Sequence, residues 1–356
     1  MEEFATLDFD VTPTHASRLP EVDFDNLAFG QVFSDHMFVM DYEDGEWQRG
    51  EISSFGPMTF SPAMMSLHYG QAIFEGMKAF KQEDGGVSLF RPGSNIARFN
   101  FSARRMSMPE VPEDTFMQAL VELVKLDQGW VPGFENSALY IRPFMFATEA
   151  HVGVRPSKSF RFCIFTCPVG AYYTRPVRVK VEQHFTRAAH GGTGAAKAAG
   201  NYAGSLYPTE LAKSEGFDQI LWTDAATHEH VEECGTMNVA FVLGGKLVVP
   251  KTSDTVLSGV TRASAIKLAA HHGVDVEERR VTVKELANAA KEGALTEAFG
   301  LGTAATVSPI CALGFEGDVV DLPAYEDWTI APLVKQELDN IRYGRGEDPF
   351  GWNIPV

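Results

Sequence analysis

The sequence predicts an α+β fold divided into two domains, and three observations lead there. Short β-branched and aromatic runs alternate with segments of helical period. Of the 356 residues, 45% are apolar, enough to fill a sizeable core. A stretch containing Gly and Pro then interrupts the pattern near the middle, in a chain long enough for about two domains of roughly 100 to 200 residues each.

Taken in order, HMFVMDY (36–42), VSLFRP (87–92), ALYIRPFMF (138–146) and FRFCIFTCP (160–168) read as strands, with turn signals such as EDGE and EDGG separating the first of them. Between the second and third, a helix starts at Pro112, Glu113 and Asp114. It carries Phe116, Ala119, Leu120, Leu123 and Val124, the i, i+3, i+4, i+7, i+8 spacing of one buried face. A further helix is expected over 95–106. This half, 1–168, reads as the first domain, and 169–177, within PVGAYYTRPV, as a linker. The second domain is expected over 178–356. RVKVEQ and DQILWTD read as strands, and VAFVLGGKLVVP (239–250) as a hairpin whose Gly244 and Gly245 supply the positive φ of a tight turn. TRASAIKLAAHHG (261–273) and VKELANAAKEG (283–293) read as helices, each closed by Gly. A cleft between two such domains is the default place for small-molecule chemistry.

Charge narrows the partners. Lys and Arg total 30 against 47 Asp and Glu, a formal charge of -17, which repels polyanions. Nucleic acid and anionic membrane surfaces are therefore not expected partners. The start, MEEFATLDFD, is not signal-like and no apolar stretch approaches spanning length, so a cytoplasmic location is expected. The four cysteines, Cys163, Cys167, Cys234 and Cys311, suit a reduced compartment. Cys163 and Cys167 have the look of half a metal site, but both fall in an apolar run that reads as a buried strand. His228 and His230 flank Glu229 in what reads as a solvated turn, so no metal is expected.

The stretch GGTGAAKAAGNYAGSLYP (191–208) sets small residues on both sides of Lys197 and places Tyr202 beyond it. Three readings compete. A nucleotide phosphate loop needs GxxxxGK followed by Ser or Thr, whereas Lys197 lies between Ala196 and Ala198. An idle, solvated lysine is the bland reading. The third is a lysine bonded covalently to a flat carbonyl cofactor, for which small neighbours leave room. Local sequence does not choose among them.

The order of several motifs does. LHYGQAIFEGMKAF (67–80), FRPGSNIARF (90–99), KAAGNYAGSLYP (197–208), EECGTMN (232–238), SGVTR (258–262) and GLGTAATVSPI (300–310) follow one another as in fold type IV pyridoxal-phosphate enzymes. From about His36 to the C-terminus the sequence resembles the branched-chain amino acid aminotransferases. The HYGQAIFEGMKAF stretch is closer to the animal and actinobacterial type than to the enterobacterial one. The resemblance implies a small α/β N-terminal domain and a larger C-terminal domain with a pseudo-barrel sheet. It also implies pyridoxal 5'-phosphate as cofactor, with Lys197 as the Schiff-base lysine and proton carrier. Glu233 would face the pyridine nitrogen; its neighbour Glu232 is the rival, since successive strand residues face opposite ways, and the GTMN alignment favours Glu233. Tyr202 would meet the phenolic oxygen and Arg187 would pack near the ring. Arg98 would hold the phosphate together with the amides of Val260 and Thr261 and the Thr303 hydroxyl, Arg91 being the rival to Arg98. A Gly-introduced turn into a helix offers free N–H groups to an anion.

For substrate, the resemblance assigns an apolar wall to Tyr69, Phe74, Tyr140 and Tyr172, rings whose polar tips also suit a carboxylate. Arg142 would meet the second carboxylate of glutamate. Thr236 and the amides of Thr303 and Ala304 would meet the α-carboxylate. Val152 and Val154, in HVGVRP, match a loop that reaches the partner subunit's pocket, which implies a homodimer. The expected reaction is L-leucine, L-isoleucine or L-valine plus 2-oxoglutarate giving the branched 2-oxo acid and L-glutamate. The alternatives on the same fold are a D-amino acid transaminase and an aminodeoxychorismate lyase; from other classes, a nucleotide-binding protein and a cofactor-free structural paralogue. One departure is clear: where mammalian members carry CxxC after GTA, this chain has Ala305 and Ser308, so thiol regulation at that place is excluded.

Overall fold

The structure, a computed structural model, describes residues 8–173 and 175–356. The chain folds as two compact units. The first comprises 1–172, 196–199 and 340–356, and the second 173–195 and 200–339. The sequence division assigned everything after 178 to the second domain. In the structure the lysine segment 196–199 and the C-terminal tail belong with the first unit, because both bond to its strands.

The first unit is built on a sheet of β1 (Phe9–Val11), β2 (His36–Glu43), β3 (Glu46–Trp47), β4 (Gly50–Ser54), β5 (Ala72–Phe74), β6 (Met77–Lys81), β7 (Val87–Phe90), β8 (Ala138–Ala147) and β9 (Phe160–Val169). Its central order is β4-β2-β9-β8-β6-β7, all antiparallel. The predicted strands all form. Helices α1 (Met65–Tyr69), α2 (Pro92–Arg105) and α3 (Glu113–Leu126) join them. Helix α2 begins at Pro92, earlier than the expected 95, because proline's fixed φ and missing N–H suit the first helical position. The buried stripe expected of α3 packs as read. Phe116 meets Phe162 of β9 at 4.7 Å between ring centres, and Phe99 of α2 meets both at 5.3 and 5.4 Å, in edge-to-face contacts. Such pairs contribute about 0.5–1.5 kcal/mol each beyond their burial.

One irregularity in this sheet matters for chemistry. Strand β8 pairs with β5 through 144–146 and with β6 through 139–141, so Pro143 falls at the break between them. The Pro143 carbonyl accepts the Glu75 N–H at 2.7 Å, which fixes the link between β5 and β6. Gly76 follows, and a Cβ there would lie 2.1 Å from the Tyr140 hydroxyl.

The second unit is a mixed sheet of β10 (Val177–Val181), β11 (Gln219–Thr223), β12 (Val231–Cys234), β13 (Asn238–Leu243), β14 (Lys246–Pro250), β15 (Val276–Arg279), β16 (Leu295–Gly302), β17 (Thr306–Phe315) and β18 (Asp318–Asp321), in the order β12-β11-β10-β17-β16-β13-β14-β15 with β18 beside β17. Its helices are α4 (Ala199–Ala203), α5 (Leu206–Ser214), α6 (Val260–His271), α7 (Val283–Lys291) and α8 (Ile330–Arg342). The β13–β14 hairpin turns on Gly244 and Gly245, at φ +57° and +80°. Helices α6 and α7 are followed by Gly273 and Gly293 in the left-handed region, as the sequence requires. The chain ends with β19 (Asn353–Pro355), antiparallel to β7 of the first unit.

Candidate active site

In the first unit the backbone of Lys197 is pinned on both sides. Its carbonyl accepts the Phe74 N–H at 3.1 Å, its N–H donates to the Ser102 hydroxyl at 2.9 Å, and Ala198 forms an isolated antiparallel bridge with Ile73. The ammonium lies 4.8 Å from the centre of the Phe74 ring. The Arg142 guanidinium stands at the same distance from that ring, and donates from Nη2 to the Tyr140 hydroxyl at 2.8 Å. The buried Nε of Arg142 has no hydrogen-bond partner among the described residues. A cation with an unsatisfied buried donor beside an aromatic ring is suited to an incoming carboxylate.

Arg98, on α2, is gripped by Glu75: Nε to Oε1 at 2.6 Å and Nη2 to Oε2 at 2.9 Å. Asn95 Nδ2, at 2.9 Å, and the Gly76 N–H, at 3.0 Å, complete the shell around a carboxylate with no exposed surface. Burial pushes Glu75 up, but the charge and hydrogen bonds of Arg98, with the charge of Lys197, hold it below the ordinary glutamate range. The rival arginine is engaged elsewhere: Arg91 lies over Trp352 at 4.8 Å and donates to Ser94.

In the second unit both adjacent acids of β12 are buried. Glu233 accepts the Leu257 N–H at 2.6 Å, and Arg187 Nε lies 3.2 Å from its other oxygen. That contact is an ion pair rather than an aligned hydrogen bond, since the same Nε has no hydrogen-bond partner among the described residues. Arg187 also donates to the carbonyls of Gly194 and Thr255, and a Cβ at Gly194 would lie 2.7 Å from Thr255 Cα. Glu232 accepts from the Thr255 hydroxyl while its second oxygen is buried without a partner among the described residues. Burial raises its carboxyl, against the Thr255 hydrogen bond and the Arg187 charge. Two residues past Leu257, Gly259 caps α6, whose first turn holds Val260 and Thr261, both buried. The leading N–H groups of such a helix have no acceptor within it.

The sequence-predicted residues thus fall into two groups. Lys197, Phe74, Tyr140 and Arg142 are brought together in the first unit, where Glu75, paired with Arg98, lies within the electrostatic reach of Lys197. Tyr140 and Tyr172 both pack edgewise on Phe29, at 5.1 and 5.0 Å, a ring the sequence did not single out. The Tyr69 ring lies near His68, and Val152 and Val154 are 72% and 90% exposed. In the second unit Glu233 and Arg187 meet. Tyr202 lies on α4, Thr236 in the turn after β12, and Thr303 with Ala304 in the turn between β16 and β17. Glu75, Asn95, Ser102 and Asn238 were missed. The available signal was an acid inside the apolar IFEGM run, which needs buried partners. The cysteines behave as buried thiols: burial pushes Cys163 and Cys234 up to about 12 and Cys167 up to about 11. His228 bonds the Thr223 hydroxyl at 2.8 Å, and His230 lies 3.4 Å from Asp224.

The first unit thus holds a lysine pinned at its backbone, and the second holds a buried carboxylate paired with arginine and the first turn of a helix. The pattern of the Amino-transferase class IV family matches residues 72–313, and the chain belongs to that family. Within it, the chain groups with the branched-chain-amino-acid aminotransferases. It is 45% identical over 336 residues to branched-chain-amino-acid transaminase 1 of Bacillus subtilis (strain 168), covering 93% of this chain and 94% of that one. Among solved structures, the branched-chain aminotransferase of Thermoproteus uzoniensis with norvaline is 26% identical, with a TM-score of 0.74 over 90% of this chain and 99% of that one. The PLP form of the Thermobaculum terrenum branched-chain enzyme shares the fold, with a TM-score of 0.72 at 22% identity over 91% of this chain and 99% of that one.

Proposed function

We infer that the protein is a pyridoxal 5'-phosphate-dependent aminotransferase that passes the amino group of L-leucine, L-isoleucine or L-valine to 2-oxoglutarate, giving the branched 2-oxo acid and L-glutamate. The observation that carries the reading is Lys197, whose backbone is bonded on both sides while its amine rests over an aromatic ring. The residues present fit the cofactor: an amine for its aldehyde, a buried carboxylate for its ring nitrogen and helix N–H groups for its phosphate. When bound, that cofactor supplies a carbonyl to take up the amino group and a ring that draws electrons from the substrate Cα. Lys197 would hold it through Nζ, and its free amine would carry the proton to and from the substrate Cα. Glu233 keeps the ring nitrogen protonated, and Arg187 pairs with that carboxylate. Tyr202 donates to the phenolic oxygen.

Arg98, the N–H groups of Val260 and Thr261 and the Thr303 hydroxyl bind the phosphate. The Glu75 clasp orients Arg98 for this. Tyr69, Phe74, Tyr140 and Tyr172 line the side-chain pocket, and Arg142 meets the second carboxylate of glutamate. Thr236 with the N–H groups of Thr303 and Ala304 receives the α-carboxylate. The two units serve as the N-terminal and C-terminal domains, meeting in sequence at 169–177, with the first, not the second as the resemblance implied, the larger by residue count. The protein works as a cytoplasmic homodimer, with Val152 and Val154 reaching the partner's pocket, a role that suits apolar side chains left this exposed. Light scattering on the purified protein tests the dimer. No helix among the described residues is long and apolar enough to cross a membrane.

The test of the activity is the visible spectrum of the loaded protein. L-leucine should bleach the cofactor band and 2-oxoglutarate should restore it. The curated relatives do not favour the D-amino acid transaminase or lyase alternatives. A band unmoved by L-leucine would reinstate them, and failure to take up pyridoxal phosphate would sink the role of Lys197.

A further inference from the structure

Glu233 and the start of α6 are tied together by one amide. Asn238, the first residue of β13 and nearly buried, donates from Nδ2 to the Leu257 carbonyl at 2.9 Å and reaches Glu233 Oε1 at 3.4 Å. The Leu257 N–H donates to the same Oε1 at 2.6 Å. Both neighbours of Nδ2 are acceptors, which fixes the amide's orientation, and a carboxylate oxygen has lone pairs enough for both donors. Leu257 is thus held at its N–H by Glu233 and at its carbonyl by Asn238, two residues before α6 is capped.

Gly259 makes the arrangement sterically possible. Its φ of -71° and ψ of 132° suit any residue, so the backbone does not call for glycine. A Cβ there would lie 1.9 Å from Asn238 Oδ1 and 3.1 Å from its Cγ. The missing side chain is the space the amide occupies.

We propose that Asn238 is a positioning residue that locks the Glu233 carboxylate to the opening turn of α6, so that the partners of the cofactor's ring nitrogen and of its phosphate are set as one rigid body. The proposal rests on the assignment of Glu233, Val260 and Thr261 to those two ends of pyridoxal phosphate. A stiff ligand gripped at both ends gains affinity when its two anchors are already fixed relative to each other. The amide touches neither substrate nor cofactor in this role.

The test compares wild type with Asn238→Ala, Gly259→Ala and the double variant. Cofactor-free proteins are titrated with pyridoxal phosphate, and separately with pyridoxal, following tryptophan fluorescence; their melting is recorded by circular dichroism. Each single variant should bind pyridoxal phosphate about 10-fold more weakly, a coupling of ordinary size for residues in contact. Pyridoxal, lacking the phosphate anchor, should lose less. The double variant should bind no more weakly than the worse single one, because removing the amide removes the clash. Losses that multiply in the double variant, equal losses for pyridoxal, or unchanged affinity in both singles would each overturn the proposal. So would a fall in melting temperature of the cofactor-free singles that accounts for the weaker binding. Failure of the assignment itself is separately visible: wild type would then show no uptake of pyridoxal phosphate, whatever the variants did.

Discussion

Changing Glu75 to Gln removes one charge from the interior of the first unit with little change of shape. The carboxylate has no exposed surface and accepts from Arg98 Nε at 2.6 Å, Arg98 Nη2 at 2.9 Å, Asn95 Nδ2 at 2.9 Å and the Gly76 N–H at 3.0 Å. Each oxygen faces a donor, so the NH2 of glutamine opposes a donor in either orientation. One charge-assisted hydrogen bond, about 1.5–3 kcal/mol, is lost. The Arg98 side chain, 10% exposed, is also left as a buried cation with a neutral partner, which brings the cost to about 3–5 kcal/mol. Urea unfolding of the cofactor-free protein should show that loss. The pH dependence gives a second check. Because the folded carboxyl titrates below its ordinary value of 4.5, its contribution is complete above that pH and is lost as pH falls through the folded value. The gap between wild type and variant should therefore be full at pH 7 and narrow below about pH 4.5. A loss under about 1 kcal/mol at pH 7, the size of an ordinary neutral hydrogen bond, or a gap indifferent to acid, would refute the claim that charge holds Arg98.

Other outcomes follow from the same geometry. Lys197→Ala should abolish transamination of L-leucine while circular dichroism shows an intact fold, since the strand bridge at Ala198 and Ile73 uses backbone alone; substantial residual turnover would remove the lysine from its role. Arg142→Gln should raise KM for 2-oxoglutarate by about 10-fold or more while moving KM for L-leucine less, as expected when one charge-assisted contact to a carboxylate is lost; equal shifts would argue against a carboxylate contact. Gly273→Ala should lower stability by about 1 kcal/mol, because φ is +78° there and an L side chain is strained in that region; melting curves of the two proteins measure it.

What was legible in the sequence was local. Gly244, Gly245, Gly273 and Gly293 sit where positive φ is demanded, and the period of Phe116, Ala119, Leu120, Leu123 and Val124 reported a buried face that is in fact buried. The small residues around Lys197 marked a segment of unusual purpose. The hidden part is long-range. Residues 196–199 join the first unit through an isolated bridge and a few single hydrogen bonds, a pairing too short to leave an alternating pattern. Glu75 reads as one acid in an apolar run, and its meaning comes from Arg98 on α2 and from Pro143 across the sheet. Alternation along β12 predicts opposite faces for Glu232 and Glu233, yet both are buried, and it is the segment at Thr255 and Leu257 that gives them different partners.

Lys197 shows why such contacts matter to chemistry. A lysine that must bond a carbonyl, let go and then deliver a proton at one atom needs a mobile amine on an immobile backbone. Freedom at both levels would spread Nζ over positions from which transfer fails, since misplacement by about 1 Å can cost about 100-fold in rate. The flanking Gly and Ala supply the space for the amine and, being small and flexible, cannot themselves hold the backbone still. That restraint comes from Phe74, Ile73 and Ser102. Cα of Lys197 is thereby set by β5 and α2, so that in the proposed role the motion required is confined to one side chain.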